Sequence, residues 1–286
     1  MVPHPRRRES PQVYRVRRAM AATVVVVLVF GVLRLAGVGG GGGGDEASAT
    51  TSSSTTSTTI PDPPACAEGD VVSEDNPATG WASILVDTER SLPDWYSPPD
   101  LENISEGGFP FTDGLALRGL VMDDLNAMRE AAAANGTPLS ILAAYRSYAQ
   151  QADLFARRVD DMGASQAGGR VARPGHSEHQ LGTTIDVTDE GATDVDQAWG
   201  ASPTGQWVAT NAHKYGFLIS YPSGASDLTC YDYEPWHLRY VGRETAAAVV
   251  ASGLTLRQYL FVNAPPAGYT PTTAAPTTTA EVVTEG

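Results

Sequence analysis

The stretch Gly175-His-Ser-Glu-His-Gln-Leu-Gly-Thr-Thr-Ile-Asp186, completed downstream by Glu234-Pro-Trp-His237, groups side chains that bind metal ions. A catalytic zinc ion takes three protein ligands from His, Asp, Glu or Cys and keeps a fourth position for water. The two stretches offer His237, Asp186 and, as the third ligand, a second histidine, for which spacing alone leaves both His176 and His179 open. They therefore predict a divalent metal site.

Glu234 is the fourth residue of interest because it lies three positions before His237. A carboxylate at that place can sit beside a metal without binding it. It could accept the proton of a metal-bound water, whose pKa zinc lowers to about 7. This combination is typical of a hydrolase; the alternative is that Glu234 is an ordinary surface carboxylate.

Both stretches resemble the motif of the VanY-type D-alanyl-D-alanine carboxypeptidases, zinc peptidases that share a fold with the Hedgehog amino-terminal domain. The family pattern is S-x-H-x-x-G-x-A-x-D followed by E-x-W-H. Thr184 stands where the family usually has Ala, and Tyr145-Arg146-Ser147 with Gln151 resembles the upstream segment Y-R-S-x-x-x-Q. The resemblance covers roughly residues 115–253, and its matching positions are Ser177, His179, Gly182, Asp186, Glu234, Trp236 and His237.

The resemblance implies a role for each of the residues that would hold and use the metal. His179, Asp186 and His237 would bind Zn²⁺, which leaves His176 as a residue behind the ligands or at the mouth of the site. Glu234 would be the general base.

Four further positions are implied around the substrate. Arg146 would point at the scissile carbonyl, where a cation stabilises the developing oxyanion; an ordinary ion-pairing arginine is the alternative. Ser177 and Gln151 are candidates for substrate binding or for cap and loop positions. Trp236 is expected to form a wall of the substrate-binding site.

Charge is distributed unevenly along the chain. The 286 residues have a formal net charge of −14. Residues 1–38 contain seven arginines against Glu9 and carry +6, so residues 39–286 carry −20. Proteins bind nucleic acid largely by neutralising phosphates with basic side chains. We therefore expect no nucleic-acid partner.

The charge and hydropathy of the amino-terminal residues predict a membrane-targeting segment. A basic segment, residues 1–18, precedes residues 19–38, in which 15 uninterrupted apolar residues are followed by Arg34. A spanning helix needs about 20 residues, and Arg34 could snorkel to extend this one. Because no clear A-x-A-like cleavage site follows, an uncleaved anchor is favoured over a signal peptide. The charge order places residues 1–18 in the cytoplasm and the remainder outside, on the cell membrane or, if the segment is cleaved, secreted.

Low-complexity sequence delimits one candidate domain. Residues 39–65 are rich in Gly, Ser, Thr and Pro, and residues 264–286 are rich in Thr, Pro and Ala. Neither segment can bury enough apolar surface to offset its chain entropy. One folded domain is therefore expected over residues 66–263, and the resemblance implies that it is a zinc peptidase domain with its motif core at 115–253.

Within this domain the periodicity predicts an α+β fold with a small, mainly antiparallel sheet and flanking helices. The resemblance to the VanY-type enzymes implies that this is the fold of the Hedgehog and D,D-peptidase domains. Helical spacing begins at Leu117 and ends at Asn135-Gly136, and Ser147 is a candidate N-cap. Alternation around Asp186 places its side chain opposite Ile185 and Val187. The predicted helices are 117–134, 147–159, 207–215 and one through 251, and the predicted strands are 138–144, 183–187, 217–219 and 237–240.

The chain has two cysteines, Cys66 and Cys230. An even number of cysteines outside the cytoplasm permits a disulfide, and free buried thiols are the alternative.

The function implied by the resemblance is a zinc-dependent D,D-carboxypeptidase that removes the terminal D-alanine from peptidoglycan stem peptides, acting as a monomer. An L,D-carboxypeptidase and an endopeptidase use the same motifs and stay open. A non-catalytic wall-binding module that retains zinc is the alternative of a different class. The presence of Glu234 speaks against it, because a binding module needs no general base.

Overall fold

The computed structural model describes residues 65–73, 80–107, 109 and 114–263. Residues 1–18 and 19–38, residues 39–64 of the expected linker, and the expected tail 264–286 lie outside the described residues. In the part described, no single helix is long and apolar enough to cross a membrane. The adjoining helices Arg243–Ser252 and Leu256–Asn263 pass that test of length and composition only as a pair, and they are bent by 100°.

The described ranges contain short strands and helices in alternation, together with several 3₁₀ helices, of which Glu178–Leu181 is part of the candidate site. The strands are β1 (Val71–Val72), β2 (Arg90–Ser91), β3 (Leu101–Asn103), β4 (Ala116–Arg118), β5 (Leu139–Ala143), β6 (Thr184–Asp189), β7 (Phe217–Ile219) and β8 (His237–Tyr240). The helices are α1 (Met122–Ala134), α2 (Tyr148–Met162), α3 (Ala164–Ala167), α4 (Pro203–Asn211), α5 (Ser226–Thr229), α6 (Arg243–Ser252) and α7 (Leu256–Asn263).

The central sheet has four strands in the order β5-β6-β8-β7, and every neighbouring pair is antiparallel. Two smaller sheets accompany it, β1 with β2 in parallel and β3 with β4 in antiparallel pairing. Ile185, Val187 and Leu238 are fully buried on the core side of the central sheet, against α1 and α4 residues of the same cluster. The architecture confirms the expected α+β fold with a mainly antiparallel sheet.

The start of the first long helix was predicted wrongly from the sequence. Helix α1 begins at Met122, after a 3₁₀ turn, whereas Leu117 lies in β4, opposite Glu102 of β3. The apolar spacing fits a helix, but a three-residue strand is too short to show its own period. The predicted end of the helix agrees with the structure, since Asn135 is the C-cap residue and Gly136 has a φ of +81°.

Helix α2 follows the sequence pattern closely at its start. Ser147 accepts a hydrogen bond from the Gln150 backbone N–H, and the Gln150 side chain accepts one from the Ser147 backbone N–H. This capping box satisfies two helix-terminal donors. The helix continues to Met162, three residues past its predicted end.

Cys66 and Cys230 are joined in a disulfide with a Cα–Cα distance of 5.3 Å. The structure thus excludes the alternative of two free thiols for this pair. The bond links the first described residues to the segment that leads into Glu234. It is one of several connections between the described residues of the segment 65–107, called here the lead-in, and the rest of the domain.

Candidate active site

Three potential ligand atoms meet where β6 and β8, the two central strands of the sheet, pair with each other. Asp186 is directly opposite His237 in the β6–β8 register. Asp186 Oδ1 lies 3.3 Å from His237 Nδ1 and 3.4 Å from His179 Nε2. These atoms all lie within 4.8 Å of one another, a spacing that a single metal ion can bridge.

His179 reaches this point from the 3₁₀ helix Glu178–Leu181, which begins after Ser177 and ends at Gly182. Gly182 has a φ of +71°, and a Cβ atom there would lie 2.8 Å from Pro98 Cγ. Both observations require glycine, because a side chain would strain the backbone and collide with its neighbour. The motif glycine therefore allows the tight turn that aims His179 at Asp186.

The unsatisfied atoms of the cluster fit a metal ion. His179 Nδ1 donates to the Ala144 carbonyl at 2.7 Å, which leaves Nε2 as the free imidazole nitrogen. That Nε2 atom and Asp186 Oδ1 are buried but make no hydrogen bond. Buried polar atoms are nearly always hydrogen-bonded, so an exception calls for an explanation. Two imidazoles and one carboxylate form a donor set suited to catalytic zinc.

The two histidines have opposite electrostatic environments. Burial, aided by the charge of Arg146, lowers the pKa of His179 to about 4. Burial also opposes the charged form of His237, but the neighbouring carboxylates of Asp186 and Glu178 outweigh it and raise the pKa to about 10. A cation bound at His237 Nδ1 would take the place of a proton on that nitrogen, 3.3 Å from Asp186 Oδ1.

Glu234 lies beside the cluster, in a turn closed by the hydrogen bond from His237 N–H to the Glu234 carbonyl. One carboxylate oxygen is 3.6 Å from His237 Nδ1. Burial raises the pKa of Glu234 to about 7; His237 and Arg146 act against the rise, while the charge of Asp186 adds to it. A carboxyl group in this environment can both accept and return a proton near neutral pH.

Arg146 lies at the end of β5 and is held by Gln151. Its Nε atom donates to Gln151 Oε1 at 3.0 Å, and Gln151 Nε2 donates to the Ala172 carbonyl at 2.7 Å. Burial lowers the pKa of Arg146, whereas the charges of Asp186 and Glu234 oppose that change. Gln151 thus has protein partners at both ends of its amide, which gives it the task of orienting Arg146.

A cavity of about 260 Å³ unites the expected site residues. Ser177 lines it and also caps the 3₁₀ helix by accepting from the His179 backbone N–H. Trp236 contributes to the lining of this cavity and to that of a wider adjoining groove of about 570 Å³. The expected residues that line the cavity are Arg146, Gln151, Ser177, His179, Asp186, Glu234, Trp236 and His237.

His176 is buried and does not line the cavity, so the structure excludes the mouth of the site, one of the two places expected for it. Its ring bonds the Asp87 carbonyl at 2.7 Å through Nδ1 and Asp70 Oδ1 at 3.1 Å through Nε2. Both partners belong to the lead-in. His176 precedes the 3₁₀ helix that carries His179, and the two rings have different hydrogen-bond partners.

The sequence reading missed Glu178 and Tyr221. Glu178 accepts from His237 Nε2 at 2.9 Å, and the Tyr221 ring lies 4.7 Å from the His237 ring, measured between centroids. Burial acts against ionisation of Glu178, but Arg239 and His237 lower its pKa to about 2. For Glu178, the available signal was a glutamate inside a motif that was predicted to be buried. For Tyr221, we find no signal in the sequence.

Comparison with known proteins identifies the group to which this chain is related. The family model VanY, D-alanyl-D-alanine carboxypeptidase, matches residues 114–243. The structure of the LdcB LD-carboxypeptidase superposes with a TM-score of 0.58 at 38% identity, over 62% of this chain and 85% of that one. The chain belongs to the VanY family.

Two further VanY relatives extend the comparison. The putative carboxypeptidase YodJ of Bacillus subtilis (strain 168) is 39% identical over 179 residues, which cover 61% of this chain and 65% of YodJ, slightly less than two thirds. The vancomycin-resistance D,D-pentapeptidase VanY from a VanB-type cassette, solved with Zn(II), has a TM-score of 0.54 at 28% identity, over 63% of this chain and 99% of that one.

The arrangement of His179, Asp186 and His237 predicts zinc binding that can be measured directly. We expect about one equivalent of zinc in protein purified without chelator, and less than half of that in His179→Ala, because one of three ligands is lost. His213→Ala is the control, since His213 is a partly buried histidine that does not line the cavity. Full zinc content in His179→Ala, measured by elemental analysis, would contradict the ligand assignment.

Proposed function

We propose that this protein is a zinc-dependent carboxypeptidase that hydrolyses the terminal D-alanine of peptidoglycan stem peptides. The observation that carries the proposal is the partly buried Glu234 carboxylate, 3.6 Å from His237 Nδ1 and lining the same cavity as all three candidate ligands. A binding module gains nothing from a proton acceptor buried at that place. Membership of the VanY family supports the same reaction class.

His179, Asp186 and His237 would hold the zinc ion, which when bound polarises a carbonyl and makes water more acidic. Glu234 accepts a proton from the attacking water as the water oxygen bonds to the scissile carbonyl carbon. The same carboxyl group then gives the proton to the amine of the departing D-alanine, while the C–N bond breaks. The stem is left one residue shorter, with a new carboxylate.

Arg146 would stabilise the negative charge that develops on the carbonyl oxygen. Among the described residues Arg146 forms no ion pair, and the hydrogen bond to Gln151 fixes its guanidinium at the cavity wall. An ordinary structural arginine would be expected to pair with a carboxylate. A cation held in a buried site before reaction needs no reorganisation in the transition state.

The choice between D,D- and L,D-cleavage rests on the substrate pocket. VanY relatives are named for D-alanyl-D-alanine, which supports the D,D-activity, whereas the similarity to LdcB favours the L,D-activity as the second candidate. The groove beyond Trp236 has room for the rest of the stem in either case. Incubation with penta- and tetrapeptide stems, followed by mass spectrometry, distinguishes the two: loss of alanine from the pentapeptide alone supports D,D-cleavage, and loss from the tetrapeptide alone overturns it.

Residues 19–38 are proposed to anchor the protein in the cell membrane, with the catalytic domain outside the cytoplasm. The apolar run, the arginines before it and the disulfide between Cys66 and Cys230 support this location. We expect full-length protein in the membrane fraction, and protein lacking residues 1–38 among soluble proteins. Full-length protein that appears in the culture medium without residues 1–38 would instead show a cleaved signal peptide.

Substitution of the general base tests the proposed chemistry. Glu234→Gln keeps the size of the side chain but removes the proton acceptor, so turnover of the stem peptide should fall about 10²–10⁴-fold while zinc content stays unchanged. Glu244→Gln, at an exposed glutamate of α6, is the matched control. Unaltered turnover would exclude Glu234 as the base, and loss of zinc would make Glu234 a ligand.

Removal of the Arg146 guanidinium should lower turnover of the same peptide by about 10²–10³-fold, as for loss of an oxyanion-stabilising group. Arg146→Ala is compared with Arg157→Ala, which changes an exposed arginine of α2. Zinc content and the thermal midpoint are measured in both variants. Equal turnover in the two variants would show that Arg146 has a structural role and does not stabilise the oxyanion.

A further inference from the structure

Glu178 is a buried carboxylate adjacent in sequence to the candidate ligand His179. Its two oxygens face three donors. Ser220 Oγ donates to Oε2 at 2.6 Å, His237 Nε2 donates to the same oxygen at 2.9 Å, and Arg239 Nη1 donates to Oε1 at 2.9 Å. Both oxygens of the carboxylate therefore accept hydrogen bonds from described residues.

Stability alone is a weak reason for such an arrangement. Removing a carboxylate and a guanidinium from water costs several kcal/mol per ion, and apolar replacements of a buried ion pair are often equally stable. Arg239 is fully buried and Glu178 nearly so. The contact that apolar side chains could not reproduce is the one with His237 Nε2, because it requires a hydrogen-bond acceptor.

The position of that contact determines which nitrogen of His237 faces the ligand cluster. Nε2 points to Glu178, and Nδ1 points to Asp186. An imidazole that donates through Nε2 keeps the Nδ1 lone pair for another partner. Carboxylates that accept from the second nitrogen of a metal-binding histidine fix its tautomer and orientation.

We propose that Glu178 is a positioning residue for the metal site, which accepts the Nε2–H of His237 and thereby directs Nδ1 toward the position shared by His179 and Asp186. This inference rests on the zinc site of the proposed function. The segment Ser177–His179 then serves the site twice, once with the His179 ring and once with the carboxylate that orients the facing histidine.

Arg239 extends the same network to the lead-in. Its Nη2 atom donates to the Trp81 carbonyl at 3.0 Å and to the Ile84 carbonyl at 2.7 Å. Glu178 is thus held by a guanidinium that is itself held by backbone oxygens, so neither side chain can turn away without leaving a buried charge unpaired. The orientation of His237 is therefore fixed by three successive contacts: His237 with Glu178, Glu178 with Arg239, and Arg239 with the backbone carbonyls.

The inference predicts a loss of zinc affinity that is separable from a loss of stability. The paired substitution Glu178→Met with Arg239→Met removes the acceptor without leaving a charge behind, and zinc should bind 10–100-fold more weakly, as measured by competition with a chromogenic chelator. Glu178→Gln with Arg239→Gln restores an acceptor and should recover part of the affinity. Wild-type affinity in the Met pair would overturn the inference.

A second buried ion pair provides the matched control. Asp87 Oδ2 and Arg257 Nε are 2.8 Å apart, and both side chains are buried. Asp87→Leu with Arg257→Met also removes the contacts of Asp87 with Arg90, so it disturbs the packing at least as much as the Met pair, but it should leave the zinc dissociation constant at the wild-type value. An equal loss of affinity in this control would show that the effect is one of general stability.

If the variant with Glu178→Met and Arg239→Met does not fold, the wild-type protein tests the role of Glu178. Nitrogen-15 chemical shifts of His237 in the zinc-loaded protein should show a protonated Nε2 and a metal-bound Nδ1. Zinc on Nε2 would overturn the role of Glu178. Failure of the wild type to bind zinc at all would instead overturn the proposed metal site, so the two failures are distinguishable.

Discussion

The antiparallel pairing of β6 with β8 is the constraint on which the site depends. It sets Asp186 opposite His237, so two of the three candidate ligands are held by backbone hydrogen bonds between neighbouring strands. A register shift of one residue would exchange the two faces of a strand and turn Asp186 into the core that Ile185 and Val187 fill. The apolar pattern that buries those two side chains therefore also fixes the position of the metal donors.

Buried charge around this pairing is balanced locally. Glu178 is matched by Arg239 at 2.9 Å, and the guanidinium of Arg146 acts on both Asp186 and Glu234. An isolated buried ion would be far more costly than one with a partner. Among the buried polar atoms without a hydrogen-bond partner, His179 Nε2 and Asp186 Oδ1 lie 3.4 Å apart at the candidate metal position. Natural proteins tend to break such rules at functional sites.

The sequence predicted the central sheet and the grouping of the site residues better than it predicted their surroundings. Asp186 was placed correctly on a strand because apolar residues alternate around it, and His237 was also placed correctly at the start of a strand, although β8 is buried throughout and shows no alternation. Leu117 was misassigned because β4 is only three residues long. The partners of Glu178 could not be predicted, since Arg239 and Ser220 are 61 and 42 positions away and nothing local marks them. Contacts between distant residues depend on how the elements pack.

The lead-in illustrates why a site cannot be equated with its motifs. The VanY family model begins to match at residue 114, yet residues before that point contact side chains that in turn contact the candidate ligands. The carbonyls of Trp81 and Ile84 bind Arg239, which binds Glu178, and Cys66 is bonded to the segment preceding Glu234. Because these contacts fix side chains that themselves touch the candidate ligands, the described residues of the lead-in support the candidate site, although they do not line the cavity between His179 and Glu234.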